Sequence, residues 1–147
     1  MDDLHYLLMK TQTHLNRWIL AQAAQLGLSP GQPKILECLT HLGECNQKAI
    51  ADYCEIEPAT VGSILLRMER DGLITRGQRS GNRRSLYVSL TPKGIEMGEA
   101  MEDIFRRANQ LACAGLTPEQ RRQLTELMSL LCTSTSAMSA TEQEAQK

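Results

Sequence analysis

The chain has 147 residues, of which 41% are hydrophobic and only 3% aromatic, so one ordinary domain with an aliphatic core is expected. The five cysteines form no Cys-x-x-Cys pair, and no uncharged apolar run approaches the roughly 18 residues of a membrane span, which argues against a zinc knuckle, another metal site and a membrane protein. The acidic start, MDDLHYLLMK, is unlike a secretory signal. A cytoplasmic protein without a cofactor is therefore expected.

Two helices are predicted at the beginning of the chain. Apolar residues at helical spacing indicate an amphipathic helix over residues 4–24, ended by Gly27. The segment SPGQPKILECLTHLG predicts a second helix that is closed by Gly43. In that helix Ser29 is the expected N-cap, Pro30 occupies the first position and Gln32 completes a capping box.

A tight break separates two further helices in the middle of the chain. NQKAIADYCEI predicts a short helix capped by Asn46, and the residues expected to face inward are Ala49, Ile50, Tyr53 and Cys54. After a break at residues 55–57, Pro58 begins PATVGSILLRMERDG. One side of this helix is apolar, and the other carries small polar and basic residues three and four apart: Thr60, Ser63, Arg67 and Arg70. This order predicts a helix-turn-helix whose second helix fits the major groove of DNA.

The pattern changes to period two after Gly72 and predicts a β-hairpin with its connection at about residues 77–84. The stretch RGQRSGNRRS, residues 76–85, concentrates four arginines there: Arg76, Arg79, Arg83 and Arg84. Residues 58–93 hold seven bases and two acids, a net charge of +5, whereas the remainder holds nine bases and fifteen acids, a net charge of −6. Such a basic segment on an acidic body is typical of a surface directed at a polyanion, here DNA phosphates or a narrow minor groove.

Helices are predicted to return after the hairpin. Thr91–Pro92 begins one with a long apolar stripe, and Thr117 to Gln120 form a capping box for the last one. The stretch from residue 133 is rich in Ser, Thr, Ala, Gln and Glu and is expected to be disordered. The predicted fold is mainly α with a small β-hairpin wing.

Three stretches together make the chain resemble the MarR family of winged helix-turn-helix transcription regulators. They are LSPGQPKILECL, NQKAIADYCEIEPATVGSILLRMERDGLI and RRSLYVSLTPKG. The resemblance implies a DNA-binding domain over residues 28–94, a helical dimerisation region formed by 1–27 and 95–132, and a tail at 133–147. It also implies a homodimer that binds a pseudo-palindromic operator in double-stranded DNA, most simply as a repressor that occludes a promoter.

The resemblance assigns DNA contacts residue by residue. An arginine of each wing enters the minor groove, and the family's Asp-x-Arg in the wing corresponds to Asn82 and Arg84, so an uncharged amide replaces the acid. Ser63 stands where the family often has a basic residue, and Leu66 is apolar on a side that is usually polar. The implied DNA-binding residues are Thr60, Ser63, Arg67, Arg70, Arg76, Arg79, Asn82, Arg83 and Arg84.

Many family members respond to small aromatic or phenolic anions, and others sense oxidants through a cysteine. The candidates for an effector site are His14, Trp18, Lys34 and Cys38, with Trp18 stacking on a ring and Lys34 pairing with a carboxylate. The alternative is that Trp18 packs in the core, that His14 is an ordinary polar residue and that Lys34 is solvated. Cys45 and Cys54 fall on positions that are apolar in the family, which favours burial. Whether Cys38, Cys113 or Cys132 senses oxidants is left open by the sequence.

Two rival functions remain at this point. A winged helix can serve as a protein-binding module without DNA, although Arg67 and the wing arginines argue against it. An enzyme with a Cys–His pair is disfavoured because no acid–base constellation emerges. Salt dependence separates them, since duplex binding weakens steeply with salt.

Overall fold

The helical order expected from the sequence is present in the computed structural model, which describes residues 3–79 and 81–145 without the side chains of 79, 82–85 and 139–144. The elements are α1 (Leu4–Gln25), α2 (Gln32–Leu42), β1 (Cys45–Asn46), α3 (Gln47–Cys54), α4 (Pro58–Arg70), β2 (Ile74–Arg79), β3 (Asn82–Leu90), α5 (Pro92–Ala112) and α6 (Pro118–Ala145). They fall into two compact units, Met1–Asn109 and Gln110–Lys147. No helix among the described residues has both the length and the apolar content to cross a membrane.

An aliphatic core holds the first unit together. Its fully buried side chains include Ile35, Leu36, Ile50, Leu65, Met68, Ile74 and Met101. Trp18 of α1 and Phe105 of α5 pack against the same cluster. Each fully buried aliphatic side chain stabilises the fold by about 1.5–3 kcal/mol. The flanking helices α1 and α5 therefore share a core with residues 28–94, so the helices that precede and follow the winged part help to hold it in place.

The capping predictions are confirmed at two helices and wrong at a third. Asn46 Oδ1 accepts a hydrogen bond from Ala49 N at 2.9 Å. Thr117 N donates to Gln120 Oε1 at 3.0 Å, and Gln120 N donates to Thr117 Oγ1 at 3.1 Å. At α2 the N-cap is Gly31 rather than Ser29, because Gly31 adopts a φ of 94° and the helix begins only after it. The predicted contact of Gln32 is nevertheless present, since Ser29 N donates to Gln32 Oε1 at 3.0 Å.

The inward face predicted for α3 needs one correction. Ile50, Ala51 and Cys54 are buried, whereas Tyr53 is 41% exposed. The hydroxyl of Tyr53 lies 2.9 Å from His41 Nδ1, so the ring sits beside α2 at the surface. The hydrogen bond with His41 keeps the Tyr53 hydroxyl at the surface, although the apolar ring had favoured burial.

The β-structure is larger than the predicted hairpin. The sheet has the order β1-β3-β2, with β1 antiparallel to β3 through the pairs Cys45–Val88 and Asn46–Tyr87. The strands β2 and β3 also extend further than expected, to Arg79 and from Asn82, so the connection is shorter than residues 77–84. Backbone pairing continues through the polar, basic stretch because ladder hydrogen bonds do not require apolar side chains.

The disorder expected from residue 133 is wrong for residues 133–145, because α6 continues through them to Ala145. Thr133 Oγ1 donates to Ser129 O at 3.2 Å and Thr135 Oγ1 to Leu131 O at 2.8 Å. Hydroxyl groups that bond back to the preceding turn fit within a helix, and the Ala, Glu and Gln of this stretch are compatible with one. Residues 146 and 147 lie outside the described part of the chain.

Candidate nucleic-acid interface

The break between α3 and α4 fixes the angle at which α4 leaves the domain. Helix α3 ends at Cys54, and Glu55 reverses the chain in the left-handed region with a φ of 54°. Gln47, the first residue of α3, donates from Nε2 to Pro58 O at 3.1 Å. The beginnings of the two helices are therefore tied together, as a rigid helix-turn-helix requires.

Helix α4 is anchored on one side and open on the other. Val61, Leu65 and Met68 are fully buried in the core. The outer face of α4, which we define as Thr60, Ser63, Arg67 and Arg70, consists entirely of exposed residues. The helical period dictates this division, because the outer residues lie three and four positions apart. The structure thus brings together all four side chains that the sequence assigned to this helix.

Arg76, another predicted DNA contact, is already engaged within the protein. Its Nε lies 3.2 Å from Glu69 Oε2 and its Nη2 lies 3.3 Å from Glu69 Oε1, and its side chain is only 19% exposed. This two-point ion pair joins α4 to β2 at the base of the wing. Arg76 therefore positions the wing against α4 in this structure. The side chains of Arg79, Asn82, Arg83 and Arg84 lie outside the described residues.

Side-chain contacts lock the end of α4 to the start of α5. Thr91 Oγ1 donates to Gly72 O at 2.6 Å and accepts from Gly94 N at 3.0 Å. Lys93 Nζ donates to Asp71 O at 2.9 Å, and the buried Gln32 donates from Nε2 to Asp71 Oδ2 at 3.4 Å. Sequence analysis missed this junction. Gly72 and Thr91 were recognised only as local helix signals, whereas their contact spans 19 positions.

A cavity of about 570 Å³ borders α4 beside its outer face, at Thr60 and Ile64. Its apolar lining is formed by Leu15, Ile19, Leu20, Ile56, Ile64 and Phe105, together with Pro30 and Pro33. Its polar lining is formed by Gln12, Asn16, Lys34, Glu37 and Thr60. An apolar chamber with a few convergent polar groups is the usual form of a small-molecule site. Since Thr60 and Ile64 belong to α4, an occupant would touch the same helix that carries the outer face.

The predicted effector residues do not all meet at this cavity. Lys34 lines it, whereas His14, Trp18 and Cys38 do not. His14 is exposed, and Cys38 is completely buried in the core. Trp18 is half-buried, with the Arg107 guanidinium 5.7 Å from the centre of its ring. The other residues that line the cavity come from four helices and from two connecting segments, and no local sequence pattern links them.

Burial raises the pKa of one carboxyl group that lines the cavity and of three thiols in the first unit. Burial raises the pKa of the Glu37 carboxyl above its usual range, and nearby Lys34 opposes this. Burial also raises the pKa of the Cys38 thiol to about 12 and shifts the pKa of Cys45 and of Cys54 upward. These three thiols are therefore held protonated, whereas reactive cysteines have a depressed pKa.

Comparison with known proteins gives a consistent family match. Residues 28–86 match the model of the MarR family. The homoprotocatechuate degradative operon repressor of Escherichia coli is 37% identical over 75 residues, which make up 51% of this chain and 50% of that protein. The match thus spans half the length of that relative.

Two solved structures share the fold. The Staphylococcus aureus MepR–DNA complex superposes with a TM-score of 0.82 at 23% identity, covering 92% of this chain and 99% of that one. Bordetella bronchiseptica BpsR, whose DNA binding is regulated by 6-hydroxynicotinic acid, gives a TM-score of 0.80 at 22% identity and covers 89% of this chain and 99% of that one. These likenesses confirm the winged helix-turn-helix fold.

Proposed function

We propose that the chain belongs to the MarR family, whose model matches residues 28–86, and that it is a sequence-specific regulator of transcription that binds double-stranded DNA as a homodimer, most simply as a repressor. The observation that carries the proposal is the outer face of α4. Thr60, Ser63, Arg67 and Arg70 are exposed together on a helix whose opposite side is fixed in the core. Hydroxyl and guanidinium groups on such a helix can reach base edges in a major groove.

Uncovered apolar surface supports the homodimer. On α1, Leu4, Leu7 and Met9 are between 44% and 55% exposed. In the second unit, α6 has no buried residue among those described. Two of its leucines, Leu127 and Leu130, are 59% and 66% exposed. A long helix with leucines in water gains stability from a partner surface, and a second copy supplies one by symmetry.

A two-fold dimer presents two identical α4 helices to the duplex. We therefore propose a pseudo-palindromic operator with half-sites about one helical turn, roughly 10 bp, apart. Selection of duplexes from a random library by the purified protein, followed by sequencing, tests this. The expected result is enrichment of one inverted repeat. Recovery of sequences without any common motif would contradict the proposal and favour the alternative of a protein-binding module.

An aromatic carboxylate fits the cavity behind α4, and we propose that such a ligand regulates DNA binding. Lys34 supplies a cation for the carboxylate, while Phe105 and the leucine and isoleucine side chains supply apolar walls for a ring. Because Thr60 also lies on the outer face, the ligand changes the position of α4 and lowers DNA affinity.

Lys34→Ala is expected to weaken binding of an aromatic carboxylate by at least about tenfold, since a hydrogen bond to a charged group contributes roughly 1.5–3 kcal/mol. The probes are homoprotocatechuate, 6-hydroxynicotinic acid and benzoate, with benzamide as the uncharged comparison. Binding is read from the fluorescence of Trp18, the chain's one tryptophan, and from release of the selected duplex.

Lys10→Ala is the matched control for that experiment, because it removes an exposed lysine that does not line the cavity. It should leave the affinity for each carboxylate unchanged. Equal affinities for benzoate and benzamide in the wild type, or no carboxylate that releases the duplex, would rule out this mode of regulation for the compounds tested.

A further inference from the structure

Leu66 places a large apolar side chain directly beside the outer face of α4, the surface proposed to meet DNA. It is 61% exposed, more than any other large hydrophobic side chain described in residues 3–109. It lies three residues after Ser63 and four before Arg70, so the three side chains form one row on the exposed side of α4. A leucine in this position leaves apolar surface in water on the face that the proposed function presents to a ligand.

The neighbours of Leu66 limit what can cover it. Ser63 is short, and its Oγ donates to Ala59 O at 3.3 Å, so the hydroxyl is turned back onto the helix. Gly62 has no side chain. Arg67 and Arg70 place positive charge beside Leu66, and no acidic partner of either is present among the described residues. Glu69, the acidic neighbour one turn further on, is paired with Arg76. Among the described residues the unpaired charges beside Leu66 are therefore positive, so we expect an anionic occupant that also offers an apolar group at the height of one helical turn.

Duplex DNA offers such a group in the major groove. The thymine 5-methyl is the apolar feature on the base edges there, and aliphatic or aromatic side chains contact it. We infer that Leu66 packs on a thymine 5-methyl group in each half-site and thereby selects thymine at that position, an inference that rests on the proposed DNA-binding function. The neighbouring Arg67 and Arg70 hold α4 in the groove while Leu66 distinguishes one base.

The variant that tests this is Leu66→Ala, compared with Leu42→Ala. Leu66 is mostly in solvent, and alanine is favourable in helices, so the variant is expected to fold. Leu42 is 51% exposed at the end of α2 and serves as a leucine of similar exposure on another helix. Unfolding curves of both variants should match the wild type before binding is compared.

The measurement replaces each thymine of the selected operator in turn by deoxyuridine, which removes only the 5-methyl group. At one symmetric pair of positions, replacing the thymine of a single half-site should weaken wild-type binding about fourfold, which is the effect of one buried methyl group. Replacing both thymines of that pair should weaken it about fifteenfold. Leu66→Ala should bind the operators with and without these two methyl groups with nearly equal affinity. Leu42→Ala should retain the wild-type loss.

The possible results distinguish a failure of this inference from a failure of the proposed DNA-binding function. If the wild type binds the duplex but no replacement by deoxyuridine weakens it, or if Leu66→Ala loses as much as the wild type at every position, thymine selection by Leu66 is wrong and DNA binding stands. If the wild type binds no duplex sequence above background, the proposed function fails and the inference fails with it, which would indicate that Leu66 meets a protein partner.

Discussion

Gly94→Ala is expected to destabilise the fold by about 3 kcal/mol or more, because an added Cβ would lie 2.0 Å from the backbone oxygen of Leu73. That oxygen accepts a hydrogen bond from Thr91 N at 3.0 Å, so it cannot move without disturbing the junction between α4, the wing and α5. The same Cβ would meet Leu90 Cδ2 at 3.1 Å. Thermal unfolding at fixed protein concentration should show a Tm lower by roughly 10 °C.

Gly77→Ala is the control for that substitution. Gly77 lies in β2 opposite Tyr87, where a Cβ meets no heavy atom within 4 Å, and its φ is not in the left-handed region. Its Tm should stay within about 2 °C of the wild type, as for an ordinary surface change. A Gly94→Ala protein that melts as the wild type does would show that α5 approaches Leu73 less closely than described here.

Arg67→Ala is expected to reduce affinity for the selected operator by at least about tenfold. Arg67 is exposed on the outer face of α4 and has no acidic partner among the described residues, so its guanidinium is available to DNA. A bidentate contact from arginine to a base contributes about 1–3 kcal/mol of discrimination, and each dimer loses two such contacts. Equilibrium binding to the operator and to a scrambled duplex measures both the affinity and the preference.

Arg106→Ala removes the same charge from another exposed place. Arg106 lies on α5 and its Nη1 is 3.0 Å from Asp103 Oδ1. Its loss should change operator affinity by less than about twofold, because an exposed ion pair contributes little. If Arg67→Ala and Arg106→Ala weaken binding equally, the effect of Arg67 is one of net charge alone and α4 does not read the operator.

Local signals in the sequence were sufficient to predict most helices and two of their caps. Asn46 and Thr117 precede their helices with the side chains that bond the first free amide groups, and no distant residue is needed for that chemistry. Ser29 is not the N-cap, because Gly31, two residues later, adopts a φ of 94° and the helix begins after it. The side chains around Ser29 did not indicate this backbone conformation. The strand β1 was missed because it has 2 residues, too few for any alternation.

The candidate site was predictable in part for the same reason. The exposed position of the four outer-face residues follows from helical spacing within one element, whereas their contact with DNA stays a prediction. The Glu69–Arg76 ion pair joins a helix to a strand, and the cavity joins residues of four helices, so both depend on tertiary packing. His14 and Trp18 lie one turn apart on α1, which contributes to the cavity, but neither of them lines it.

The central claim is that α4 and the wing bind the phosphate backbone and bases of duplex DNA, and the salt dependence of operator affinity measures this most directly. With two phosphates neutralised by each protomer, four per dimer, the slope of log K against log salt concentration should be about −3.6 or steeper, since each contact contributes about 0.9. Binding should therefore weaken by more than a hundredfold between about 50 and 200 mM salt. An affinity that stays constant over this range would contradict the claim and identify the winged domain as a surface for another protein.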